Sequence, residues 1–412
     1  MAGATVIGKS KCNSKFSFME EWKSDILINL LDVLIDYRGK TPKKTSSGVP
    51  LVTAKIIKGG RILPYDEFIA EDDYDSWMVR GLPQPGDVVL TTEAPLGEVA
   101  QLDDTKVALA QRVVTLRGKK GILDNTYLKY FLQSDIGQKR LTARETGTTV
   151  TGIKQSELRK VEISYPEYDQ QCRIGAILKS LDDKIALNNR INHNLEEQAQ
   201  ALYKSWFVDF EPFKDGRFVE SELGFIPEGW RVGSIYDICE IYYGAPFNST
   251  LFNTEKKGLP LIRIRDLAKQ EAGVFTEERH IKGQITHKGD VLVGMDGEFS
   301  IYIWGGVDSW INQRISRFTP KPGISHYFLT ETLRPQLKAV ESSEVATTVI
   351  HIGKNDYDKF LAIIPPQRVM DSFYHVSEPL FLQYVENLSS NHSLSESRDI
   401  LLPRLMSGPL TC

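Results

Sequence analysis

The chain has 412 residues, 41% of them hydrophobic and 25% charged, with a formal net charge of −4. That length is too great for one simple core and points to two or three domains, and the balanced composition excludes long disordered stretches. No run of about 18 apolar residues occurs, which excludes a helical membrane span, and the net charge excludes a globally basic nucleic-acid binder, so any such binding has to come from a local basic surface or from partner subunits.

In chain order, residues 1–19 read as a polar arm without the apolar core of a secretory signal. Residues 20–166 read as a first globular unit. Its β-like runs, Pro50-Leu51-Val52-Thr53, Asp87-Val88-Val89-Leu90 and Arg112-Val113-Val114-Thr115-Leu116, are bounded by Gly and Pro, and a helical pattern follows at Asn125–Ser134. Residues 167–210 read as one long helix. Ile174, Leu178, Leu181, Ile185, Asn188, Ile191, Leu195, Ala199 and Leu202 alternate by three and four, the spacing of a coiled-coil seam. A helix of that size spans roughly 50–60 Å at ~1.5 Å per residue. A linker, 211–225, leads to a second globular unit, 226–364, and a second long helix, 365–412. Pro379 is expected to kink that helix or shift its start, and Pro403 to fray its end.

The second half repeats the first. Gly147-Thr148-Thr149-Val150 returns as Ala346-Thr347-Thr348-Val349, 199 residues later (347 − 148). Ile174, Leu181, Asn188, Leu195 and Leu202 are answered by Phe373, Leu380, Asn387, Leu394 and Leu401 at the same offset, as Asn192-His193 is by Asn391-His392. Inside the globular units the offset drifts: Gly289-Asp290 answers Gly86-Asp87 at 203, and Gln313-Arg314 answers Gln111-Arg112 at 202. Insertions therefore lie between matched β elements, as expected of shared scaffolds with different loops. The expected fold class is α+β: two β-rich globular domains separated by two long antiparallel coiled-coil helices, with a pseudo-two-fold internal repeat. Antiparallel pairing about that two-fold is expected to bring Asn188 to Asn387 and set the helix register; the alternative is that each amide is solvated at the seam edge.

Catalytic signatures are missing. There is no GxxxxGK[ST] loop, no Asn/Asp-Pro-Pro-Tyr/Phe methyltransferase motif, no helix-opening GxGxxG, no HExxH and no GxSxG. The seven histidines do not cluster at ligand spacing. The four cysteines form no CxxC pair, which points to reduced thiols in a cytoplasmic protein rather than a zinc site. No cofactor or metal is expected. Glu93, Asp296 and Glu298 follow matched strands and are either catalytic carboxylates or loop residues lining a recognition surface.

The chemistry that is present suits phosphate and base edges. Asp36-Tyr37-Arg38-Gly39-Lys40-Thr41-Pro42-Lys43-Lys44 puts four cations beside hydroxyls and turn formers, and Lys55, Lys58 and Arg61 follow. Tyr242-Tyr243-Gly244-Ala245-Pro246-Phe247-Asn248 stands at the matching place without the cations. Arg263 and Arg265 match Thr53 and Lys55. Gln111-Arg112 and Gln313-Arg314 are equivalent amide–guanidinium pairs that either brace the fold and touch phosphate or read bases. Thr148 and Thr347 cap a local turn or contact phosphate.

These features resemble the specificity subunit of type I restriction–modification systems. The resemblance rests on Ile226-Pro227-Glu228-Gly229-Trp230 with Trp22 in the first unit, on Asp36–Pro42, and on Ala176–Ile185 running through to Trp206-Phe207. Above all it rests on the duplicated domain–helix layout, which covers essentially the whole chain. The resemblance implies a non-catalytic DNA reader of a bipartite asymmetric site, one half per target recognition domain, with the helices setting the gap. It implies assembly with two modification subunits that methylate adenine using S-adenosylmethionine, and with restriction subunits that translocate and cleave DNA using ATP. Trp206 and Phe207 are then candidates, as exposed aromatics, for docking the modification subunits. Two alternatives remain at this stage: an unrecognised nuclease or DNA methyltransferase, and a scaffold without a DNA role.

Overall fold

A computed structural model describes residues 22–147, 151–343 and 350–407. The chain divides into two compact units, one from Met1–Leu181 with Ser397–Cys412, the other from Asp182–Glu396.

In the first unit, strand Lys23–Ile26 pairs antiparallel with Glu162–Tyr165, so the two ends of the globular part are joined. Between them lie two four-stranded sheets. One runs in the order Leu31–Asp36, Val113–Gly118, Val88–Thr92, Leu96–Gln101, with every pair antiparallel. The other runs Ala108–Leu109, Val49–Val52, Phe68–Ile69, Lys44–Thr45, with a parallel first pair. Strand Val88–Thr92 explains its own sequence. All five residues are buried. Val88 and Leu90 face the core shared with helix Asn125–Gln133, while Val89 faces the core of the other sheet. A strand covered on both sides reads as a continuous apolar run rather than an alternation.

The second unit repeats this plan. Arg231–Ser234 pairs with Leu361–Ile364. Its sheets run Cys239–Tyr243, Ile315–Pro320, Val291–Gly294, Ile301–Ile303 and Val274–Thr276, Leu259–Ile262, Ser309–Ile311, Ile285–Thr286. Leu259–Ile262 and Ser309–Ile311 are again parallel. Helix His326–Ser343 takes the place of Asn125–Gln133 and Asp135–Thr142. The matched Gly-Asp pairs now have a cause. Gly86 and Gly289 have φ of 84° and 93°, which glycine adopts without strain. The aspartates that follow brace an arginine on the neighbouring strand: Asp87 to Arg117 at 2.7 Å and Asp290 to Arg317 at 3.4 Å.

The first long helix is Tyr168–Tyr203, 36 residues or about 54 Å at ~1.5 Å per residue, and it ends in a π-type turn at Lys204–Val208. Gln171 anchors its start. Fully buried, it accepts from Asp124 N at 2.9 Å and donates to Ile122 O at 2.9 Å and Pro166 O at 3.0 Å. The second helix, Gln367–Met406, is continuous through both Pro379 and Pro403, so its start is not shifted past Pro379 and its end is not frayed at Pro403. Packing supplies what the missing N–H removes: Phe373, Ser377 and Phe381, around Pro379, are all buried.

Within the second unit the helix segments run antiparallel, and their asparagines meet in a register different from the expected one. Asn188 Nδ2 donates to Asn391 Oδ1 at 2.8 Å, and Asn387 Nδ2 donates to Asn192 Oδ1 at 2.8 Å. Asn188 and Asn387 are thus buried seam amides, but each bonds the asparagine four residues beyond the other. The arrangement keeps the symmetry: a 199-residue shift carries 188 to 387 and 192 to 391, so it maps one bond onto the other, as in an isologous contact. Asn391 also donates to Asn189 Oδ1 at 2.7 Å, and Gln383 donates to Asn387 Oδ1 at 3.0 Å. Asn387→Ala leaves Asn192 Oδ1 and Gln383 Nε2 without these partners and is expected to cost about 1–3 kcal/mol. Urea denaturation checks this; a change within experimental error would place the amides in solvent instead.

Candidate nucleic-acid interface

In the first unit the basic loop and the Gln-Arg pair converge on one cleft of about 480 Å³. Thr41, Lys44, Lys55, Lys58, Gln111 and Arg112 all line it. They arrive from the loop after strand Leu31–Asp36, the turns after Val49–Val52, and the link between Ala108–Leu109 and Val113–Gly118. Thr41 Oγ1 donates to Gln111 Oε1 at 3.1 Å, which ties loop to pair and leaves the Gln111 amide N–H groups unbonded among the described residues. Local carboxylates hold most of the cations: Lys44 with Glu67 at 2.7 Å, Lys55 with Asp66, and Arg112 with Glu93 at 2.9 Å. Hydrogen bonding to Lys55 holds the Asp66 carboxyl below its ordinary range, and the same bond raises Lys55. Lys58 is exposed and makes no ion pair among the described residues.

The rest of the basic loop divides. Lys40 and Lys43 are exposed. Arg38 turns inward. It holds Asp36 at 2.9 Å and donates to Ile153 O at 2.7 Å, so it is a brace and not a free cation. Arg38→Ala is therefore expected to lower stability by about 1–3 kcal/mol, through the buried Asp36 carboxylate and the Ile153 carbonyl it leaves without this partner, whereas Lys40→Ala should leave the melting temperature unchanged and weaken only DNA binding. Parallel thermal melts and DNA titrations separate the two; equal behaviour of the variants would refute the division.

In the second unit the matched residues are mostly engaged. Arg263 binds Asp266 at 2.8 Å and closes the first turn of Ile264–Leu267. Asn248 accepts from Thr250 N at 3.0 Å and caps Ser249–Leu251. Arg265 and Gln313 are exposed. Arg314 lies 3.5 Å from Asp296 and 3.1 Å from His351 Nδ1, and His351 is itself 2.7 Å from Asp296. Arg112–Glu93 and Arg314–Asp296 are equivalent braces, one in each unit. Each carboxylate residue also forms a β-bridge to the loop before the long helix, Glu93 to Gly152 and Asp296 to His351. Of the three carboxylates singled out, Glu93 and Asp296 are paired in this way and Glu298 is exposed. Thr148 and Thr347 lie outside the described residues.

The aromatic pair at the end of the first long helix is not an exposed surface. Phe207 is 2% exposed, with ring centroids 4.7 Å from Phe373, 4.9 Å from Phe328 and 5.9 Å from Trp230. Trp206 is half-buried, 5.7 Å from Phe373 and 6.2 Å from Phe213. Helical periodicity says only that a residue faces one side, and here that side is the core of the second unit. Sequence reasoning also passed over Thr53, Glu67 and Pro95, which line the first-unit cleft with the predicted cations. Their signal is weak, since isolated Thr, Glu and Pro occur in any loop.

A cationic cleft beside a free amide and hydroxyls suits phosphates and base edges, and no group of His, Cys, Asp and Glu among the described residues could hold a metal. A sequence profile described as the type I restriction modification DNA specificity domain matches residues 32–197 and 227–369, once in each half. The chain belongs to this family. It is 31% identical over 343 residues to the type I restriction enzyme MjaIX specificity subunit of Methanocaldococcus jannaschii, spanning 79% of this chain and 78% of that one. It is 24% identical over 359 residues to the HindI specificity subunit of Haemophilus influenzae, spanning 70% and 76%. Its fold is similar to the crystal structure of a type I restriction-modification S subunit from M. genitalium, with a TM-score of 0.58 at 18% identity over 95% of this chain and 98% of that one. The two DNA specificity domains thus coincide with the two sheet scaffolds, and each match reaches into the long helix that follows.

Proposed function

We infer that the protein is the DNA sequence-recognition subunit of a type I restriction–modification system and performs no chemistry itself. The carrying observation is that the specificity domain occurs twice, on two copies of one scaffold, with the DNA-suited residues of the first copy gathered at one cleft. Each domain reads one half of a bipartite, asymmetric site. The scaffolds share an antiparallel four-stranded sheet and a parallel strand pair, so the bases read differ through the loops: the first unit presents Lys40, Lys43, Lys44, Lys55 and Lys58, the second Arg265 and Gln313. No described helix is long and apolar enough to cross a membrane.

The partners are double-stranded DNA, two modification subunits that supply adenine methylation from S-adenosylmethionine, and restriction subunits that supply ATP-driven translocation and cleavage. With a net charge of −4, the chain leaves much of the phosphate contact to those subunits. Incubation of the pure chain with DNA, magnesium and S-adenosylmethionine should give no methylation and no cleavage. Addition of the modification subunits should give methylation at a split motif, read by methylome sequencing. Turnover by the chain alone would overturn the assignment.

The long helices act as the ruler between half-sites. A helix of about 54 Å at ~1.5 Å per residue exceeds one turn of duplex, about 34 Å, so it suits half-sites more than a turn apart. Deleting about two heptads from Tyr168–Tyr203 should change the spacer length in the methylated motif or abolish methylation. An unaltered spacer would mean that the helix is not the ruler.

A further inference from the structure

The cleft of the first unit is concave, whereas direct readout of a base pair calls for a convex element that enters the groove. A concavity receives something that protrudes. A volume of about 480 Å³ falls within the ~300–1,000 Å³ range of small-ligand sites. A phosphate alone would want donors on every side. Here the walls are Pro42, Leu51, Ala54, Pro95 and Ala110, apolar groups that suit the face of a ring. Two uncharged polar groups line it with hydrogen-bonding capacity to spare. Among the described residues, Thr53, 9% exposed, has an Oγ1 with no hydrogen-bond partner, and Gln111 has amide N–H groups left over after its bond from Thr41. Lys58, without a carboxylate partner among the described residues, and Lys55 lie with Arg112 among the lining residues.

Apolar walls, one or two unspent polar groups and neighbouring cations are the chemistry of a nucleotide, with its base among the walls and its phosphate at the lysines. We propose that this cleft receives a single nucleotide extruded from the first half-site, so that this domain reads one base out of the helix. Thr53 and Gln111 are then the specificity-determining residues toward its edge. The proposal rests on the reading that the first unit contacts DNA. An extruded base is read on its pairing edge by pocket groups.

The test uses the complex of this chain with its modification subunits, on a duplex carrying its methylation motif. 2-Aminopurine is walked through every position of the first half-site except the methylated adenines, which the modification subunits act on. One position should show a several-fold rise in fluorescence on binding. Ala54→Trp, which fills the cleft, should return it to the duplex level. Thr53→Val, nearly isosteric, serves where the larger change unfolds the domain, and it should relax the base preference at that one position in the methylome. Full-affinity binding of the duplex with no rise at any scored position would overturn the proposal and leave the DNA-reading function standing. Failure of the wild-type complex to bind the duplex would overturn that function itself. Saturable binding of free deoxynucleoside monophosphates to the chain, with no rise in the duplex, would also overturn it, because the occupant would then be a free nucleotide.

Discussion

Replacing Lys44, Lys55 and Lys58 together by Ala is expected to weaken DNA binding by the complex on the order of 10–100-fold near 0.15 M salt, and to reduce the slope of log affinity against log salt by about three. All three lysines line one cleft, so they act on one stretch of backbone. The salt slope is the decisive reading, because it counts the counterions released on binding. The carboxylates temper the expectation in a definite order. Lys58 has no ion pair among the described residues, and its removal should matter most. Lys44 and Lys55 must be shared with Glu67 and Asp66, and each single change should cost less. Binding that weakens with no change in slope would mean that the lysines shape the cleft without touching phosphate.

Phe207→Ala is expected to destabilise the second unit by about 3–5 kcal/mol, a large share of the ~5–15 kcal/mol that holds a domain. The ring is buried against Phe373, Phe328, Trp230 and Tyr203, and truncation leaves a void that these rigid neighbours cannot close. Chemical denaturation measures the loss. The result also separates two roles. A core residue costs stability in the isolated chain. A docking residue would leave stability intact and weaken only association with the modification subunits, an outcome that would restore the surface reading.

Much of the scaffold was legible because it is written twice. Gly86-Asp87 and Gly289-Asp290 stood out as repeats, and the structure shows why: a left-handed turn needs glycine, and the aspartate pairs with an arginine across the sheet. The central helix was legible for a different reason, since an apolar seam over 36 residues leaves no other regular structure. The candidate site was legible only in part. Six of the residues chosen for phosphate and base contact do line one cleft, but Arg38, Arg263 and Asn248 are spent on internal partners. A cation and its carboxylate can be neighbours in sequence without the sequence saying that they bind.

The sequence by itself determined the duplication, the order of domains and helices, the missing catalytic motifs and the place of the basic loop. Each follows from composition, period or spacing, which are local or self-referring properties of the chain. The tertiary structure alone decided which seam asparagines meet, that Trp206 and Phe207 belong to a core, that Pro379 does not break its helix, and which lysines share a cleft. Those outcomes depend on contacts between residues far apart in the chain, as between Asn188 and Asn391 or Thr41 and Gln111, and packing overrides local preference wherever the two compete.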